Sequence, residues 1–118
     1  MYLSLILKPG KYEFVDKKEI DVNAFKGIDN IINLAGAPIS NRWTPEYKSE
    51  ILRSRVDGTR LLFETIEKLK ISLQSFVSAS AVGFYPNDLE KEYTEVDSPG
   101  TDFLSLICHK WEQEAERF

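Results

Sequence analysis

The spacing of hydrophobic and polar positions changes repeatedly along the chain, and each change marks the edge of an expected element. Residues 2–7 (YLSLIL) form a short apolar run stopped by Pro9-Gly10, which predicts a terminal or edge strand followed by a turn. Residues 11–21 mix charges with Tyr12, Phe14 and Val15 and predict a second short strand or an extended arm. Residues 28–35 (IDNIINLA) are nearly continuous in apolar and β-branched side chains and are closed by Gly36. A run without polar alternation predicts a strand buried on both faces of a parallel sheet.

At Thr44-Pro45-Glu46 the period becomes helical. A capping hydroxyl, a proline at the first helical position and an acid in the first turn coincide there. Leu52, Val56, Leu62, Ile66 and Leu69 then recur near the 3.6-residue spacing, so a helix is expected to about Lys70, with a bend near Gly58. Residues 73–80 return to strand character and end on small side chains. Asp97-Ser98-Pro99-Gly100 is turn chemistry, after which Leu104, Ile107, Cys108, Trp111, Ala115 and Phe118 trace one face of a closing helix. The order strand, helix, strand, helix predicts an α/β chain: parallel strands joined by a right-handed helical crossover, as in part of a doubly wound sheet with flanking helices.

Composition narrows the class of partner. Hydrophobic residues at 42% and charged residues at 29% of 118 describe a folded chain of one domain or part of one. A net charge of −4 gives no basic footprint for nucleic acid or an anionic membrane. No apolar run approaches the roughly 20 residues of a membrane span, and the start carries no basic leader, so a cytoplasmic setting is expected. Cys108 is the sole cysteine, which excludes an internal disulfide. Cys108 and His109 are adjacent on a helix and diverge, and with no second cysteine or histidine no metal site is expected.

Open parallel sheets bind ligands beyond the carboxyl ends of their strands. Two such ends are visible in the sequence: Asn33-Leu34-Ala35-Gly36, whose small residues would let backbone approach a flat ligand, and residues 78–83 (SASAVG), which put the hydroxyls of Ser78 and Ser80 at the same rim. Small residues at a strand end also serve simply to let a helix pack closely. Arg42-Trp43 beside the helix start fits an anion contact or a loop clamp, and the acidic stretch 88–97 reads as a solvated loop.

Taken in order, NLAG after the strand, Arg42-Trp43-Thr44, Lys48, Ser54-Arg55, SASAVGFY, Thr94-Glu95, DFLSLIC and Trp111-Glu112 resemble the nucleotide-sugar epimerase type of atypical short-chain dehydrogenase/reductases. The resemblance implies that residues 1–118 are the central part of a Rossmann-like NAD(P)-binding domain, without its N-terminal phosphate-binding βαβ unit and C-terminal substrate region. It places Asn33, Leu34, Ala35 and Gly36 along the adenosine and ribose side of NADP or NAD, with Glu50, Arg55 and Ser78 as further cofactor contacts. Ser80 resembles the serine that orients the substrate oxygen, a role for which a hydroxyl suits because it can stabilise charge building there. Conventional members add a tyrosine and, four residues on, a lysine. No Tyr-x-x-x-Lys occurs here; Lys110 has Leu106 four residues before it, and Tyr85 is the phenol nearest Ser80 in sequence. Ser80, Tyr85 and Lys110 are therefore the catalytic candidates.

A dinucleotide site also needs a glycine-rich turn opening a helix, so that backbone N–H groups meet the pyrophosphate. Gly10, Gly27, Gly36, Gly58, Gly83 and Gly100 include no pair at G-x-G spacing. The expectation is a piece of a longer NAD(P)-dependent epimerase or oxidoreductase acting on a sugar nucleotide or carbonyl-type substrate, with little or no cofactor affinity of its own. The alternative is a non-catalytic nucleotide-binding or regulatory module that keeps the fold. Missing leading strands would expose a sheet edge, which the chain's own 2–7 strand or a second copy would cover, so a homodimer or strand-exchanged oligomer is expected.

Overall fold

The computed structural model describes the backbone of residues 2–5 and the whole of residues 20–118. Strands β1 (Tyr2–Leu5), β2 (Asn30–Asn33) and β3 (Ser75–Ser78) form a parallel sheet in the order β1-β2-β3. The register sets Asn30 beside Tyr2 and Ser75, and Asn33 beside Leu5 and Ser78. Most of the expected 11–21 arm lies outside the described residues. β2 and β3 are shorter than the runs that announce them. At the entrance the Asp29 carbonyl receives the Gln74 and Ser75 N–H groups, and at the exit the Ala35 N–H turns back to the Asn33 side chain.

Helix α1 (Pro45–Leu69) joins β2 to β3. Its start follows the sequence signals: the Thr44 hydroxyl accepts from the Tyr47 N–H, Pro45 sits at the first turn and Glu46 supplies the acid. It ends where Lys70 takes a left-handed conformation (φ 54°). The helix is continuous through Gly58, the position of the expected bend, and Gly58 is buried. Helix α2 (Phe103–Ala115) begins at Asp102, whose carboxylate accepts from the Ser105 N–H; that bond holds the Asp102 carboxyl below its ordinary pKa. No helix among the described residues is long and apolar enough to cross a membrane.

Both helices lie on one face of the sheet. Phe25, Ile28, Ile31, Leu62 and Ile66 make one core cluster, with Ile71, Leu73 and Phe76 packed against it. Ala37, Ile51 and Ile107 make a second beneath the turn that leaves β2. Phe76 stacks on Phe118, which meets Phe63 of α1 edge-on, so the end of the chain closes the same layer. The opposite face differs from the sequence expectation: Ile32 is half-buried and Val77 is 52% exposed, because among the described residues no helix covers it.

Arg60 of α1 reaches Glu114 of α2 at 2.7 Å. Burial alone would raise the Glu114 carboxyl; hydrogen bonds from Arg60 and Arg117 overcome this and hold it below its ordinary value. The Arg60 side chain is 43% exposed, so solvent screens the pair and its worth is roughly 1 kcal/mol or less. Removing a fully buried aliphatic side chain costs more, because transfer and cavity terms add. Ile51→Ala or Leu62→Ala should lose about 2–5 kcal/mol in urea unfolding and Arg60→Ala no more than about 1 kcal/mol.

Candidate functional site

β2 and β3 leave the sheet at the same rim, and their turns touch. The Ala79 N–H donates to the Asn33 carbonyl at 3.0 Å, continuing the ladder one step past the strands. Asn33 is fully buried. Its amide Nδ2 donates to Thr59 Oγ1 at 3.0 Å and its Oδ1 accepts from the Ala35 N–H at 3.2 Å. The asparagine side chain therefore fixes the turn onto α1 and is not itself presented to a ligand. Leu34, 53% exposed, stands at the rim, while Ala35 is buried.

Two further ties hold the turn. The Ala37 N–H donates to Ser54 Oγ at 2.9 Å, and Arg55 Nη1 donates to the Ala37 carbonyl at 3.0 Å. The Arg55 guanidinium lies against Gly36, where an added Cβ would come within 2.7 Å of its Cζ, and 5.4 Å from the Trp111 ring centre. Gly36 thus gives its space to Arg55 from below. Glu50 is half-buried on α1, one turn before Ser54. Ser54 and Thr59 were not among the sequence candidates. Their signal is position: they fill helical spacings between Ile51 and Leu62 on the buried stripe of α1.

At the second turn the Ser78 hydroxyl donates to the Ala79 carbonyl. The Ser80 hydroxyl donates to Glu112 Oε1 on α2. Cys108, one turn before Glu112, is buried, and burial first and then the Glu112 charge push its thiol upward. The other two catalytic candidates are not brought to Ser80. Tyr85 stacks on Tyr93 with ring centres 5.1 Å apart and lines a separate cleft with Val82, Pro86 and Asp102. Lys110 is exposed, because a residue two positions from both Cys108 and Glu112 points to the other side of the helix.

The remaining candidates take structural places. The Trp43 indole donates to the Ile39 carbonyl and meets Phe103 edge-on, which makes the 42–43 segment a loop clamp. Within the acidic stretch Asp97 accepts from the Thr94 N–H and pairs with Lys91. Among the described residues no group of three His, Cys, Asp or Glu could hold a metal ion. The Trp111 indole N–H is buried without a hydrogen-bond partner. Because a methyl at residue 36 must displace the guanidinium, Gly36→Ala should cost about 1–2 kcal/mol by urea unfolding and shift the Trp111 indole resonance; an unmoved resonance would show that Arg55 does not sit there.

A family model for the NAD dependent epimerase/dehydratase family matches residues 13–103. An epimerase family protein of Staphylococcus aureus is 44% identical over 94 residues, covering 79% of this chain and 31% of that protein. One from Staphylococcus saprophyticus is 42% identical over 97 residues, covering 81% and 33%. Among solved structures, human epimerase family protein SDR39U1 (isoform 2), solved with NADPH, matches with a TM-score of 0.70 at 31% identity, over 92% of this chain and 38% of that one. The nucleoside-diphosphate sugar epimerase of Corynebacterium glutamicum matches with a TM-score of 0.65 at 29% identity, over 93% and 23%. The chain spans about a third of the length of the curated relatives it matches. With its parallel strands, shared rim and flanking helices, it belongs to the NAD dependent epimerase/dehydratase family and carries part of that family's Rossmann-like fold.

Proposed function

We propose that this chain supplies the middle of the nucleotide site of an NAD(P)-dependent epimerase or oxidoreductase, acting on a sugar nucleotide or another carbonyl-type substrate in a cytoplasmic setting. The observation that carries the reading is the Ala79-to-Asn33 hydrogen bond, which joins the cofactor-side turn and the Ser80 turn in one rim. NADPH accompanies the human relative, and the residues here suit one side of such a molecule. Leu34 to Gly36 offer backbone and small side chains to a flat adenosine and ribose, and the Arg55 guanidinium beneath Gly36 adds positive charge. Ser78 and Glu50 flank that surface.

The fit is partial. No two glycines have G-x-G spacing, so this sequence offers no glycine-rich turn to hold the pyrophosphate, and the chain by itself is inactive in this reading. When bound, the nicotinamide supplies the hydride acceptor or donor. Ser80 orients the substrate oxygen and excludes other poses. Tyr85 is stacked on Tyr93 and Lys110 faces solvent, which leaves the proton step to the groups around Ser80.

A non-catalytic nucleotide-binding or regulatory module is the second reading, favoured by the absence of a Tyr-x-x-x-Lys motif. Titrating NADPH fluorescence with this chain, and with a form extended upstream by the genomic sequence, separates them. The first reading expects binding and hydride transfer in the extended form alone, with transfer at least about a hundredfold slower in Ser80→Ala. Binding without transfer favours the module, and no binding in either form overturns the nucleotide site altogether.

Assembly as a homodimer or strand-exchanged oligomer belongs to the same proposal. β1 already covers one edge of β2, so the edges in question are the outer ones of β1 and β3, neither of which has a strand partner among the described residues. Light scattering should give twice the mass of one chain; a single-chain mass at high concentration would rule the assembly out.

A further inference from the structure

We infer that Glu112 is the proton acceptor behind Ser80, the two forming a relay between α2 and the substrate oxygen; this rests on the proposed role of Ser80. A serine hydroxyl carries one proton and two lone pairs. Here the proton is committed to Glu112 Oε1, so the side of Ser80 that remains for a ligand is lone pair only. While Glu112 is ionised such an oxygen accepts a hydrogen bond from a substrate alcohol, and it donates one to a carbonyl only when Glu112 carries the proton. Ser80 and Glu112 also line one open cavity of about 370 Å³, together with Phe76, Ser78, Ala79 and Glu116, so a ligand there can meet Ser80 with Glu112 beside it.

The step balances as follows. The substrate O–H bond breaks and its proton joins Ser80 Oγ, while the Ser80 O–H bond breaks and its proton joins the Glu112 carboxylate. The electron pair of the substrate C–H bond leaves as hydride to an oxidised nicotinamide dinucleotide, and the alcohol carbon becomes a carbonyl. The reverse direction returns the proton by the same path. Glu116, the other carboxylate lining the cavity, makes no hydrogen bond to Ser80, and the remaining groups nearby are poorer acceptors. Cys108, four residues before Glu112 on the same face of α2, is buried beside Ala81, where its thiol is driven toward the protonated form. Lys110 lies on the far side of the helix. Glu112 touches Ser80 and not the reacting atoms, so it is a positioning and proton-accepting residue.

A glutamine at this place can still accept the Ser80 hydrogen bond but cannot take its proton, which separates a relay from a purely structural contact. In the 118-residue chain without nucleotide, the exchange of the Ser80 hydroxyl proton with water is read from the isotope-shifted ¹³Cβ lines in mixed H2O and D2O. Glu112→Gln should slow this exchange at least about tenfold while leaving the backbone amide spectrum in place. Equal rates overturn the relay. Should Glu112→Gln fail to fold, Glu112→Asp, whose carboxylate is one methylene short, is read in its place, with slower exchange expected and an unchanged rate again overturning the relay. Since no nucleotide is added, this outcome is independent of the NADPH titration.

Discussion

The buried amide of Asn33 is the joint on which the rim depends. One residue ends β2, accepts the first N–H beyond β3 on its carbonyl, anchors the following turn through Ala35 and grips α1 through Thr59. Each such bond contributes about 1 kcal/mol net, but leaving a group unmet at this depth costs about 1–3 kcal/mol, so the four elements hold or yield together. The chemistry also selects asparagine. The Thr59 hydroxyl spends its proton on the Arg55 carbonyl, so its oxygen can only accept. An amide N–H satisfies it, whereas a carboxylate would set lone pair against lone pair.

Much of this fold was legible because its signals are local. Thr44-Pro45-Glu46 opens α1 as the sequence indicates, and the uninterrupted apolar run around Ile31 does become the middle strand of a parallel sheet. What is not local is the pairing of hydroxyls on the buried sides of the helices. Ser54, Thr59 and Ser105 are buried, each satisfied by a partner 17 or more residues away, and no local period announces such a pairing. The strand ends are overestimated for a related reason: Ile28 and Ala35 are apolar because they pack, not because they pair.

The candidate site was legible in its backbone and less so in its side chains. Small residues after both strands mark the rim, and the structure puts them side by side. The sequence gives no hint that Asn33 turns inward, that Tyr85 finds Tyr93, or that Glu112 faces a serine 32 residues earlier. The last of these depends on how α2 lies across α1, where Ile107 meets Ile51 and Ala37 in a shared cluster. Tertiary packing therefore chooses which polar side chain meets Ser80, and it passes over the lysine two positions away.

A second path joins the two turns through Arg55. Its guanidinium supports Gly36 and the Ala37 carbonyl on the first turn and faces the Trp111 ring on α2, whose next residue holds Ser80 on the second. The direct link is the hydrogen bond from the Ala79 N–H to the Asn33 carbonyl; the indirect one runs through side chains of both helices. A group pressed on Gly36 would meet the Arg55 guanidinium, which lies over the Trp111 ring. The guanidinium beside Gly36 and the carboxylate that holds Ser80 are thus linked through the Trp111–Glu112 step of α2.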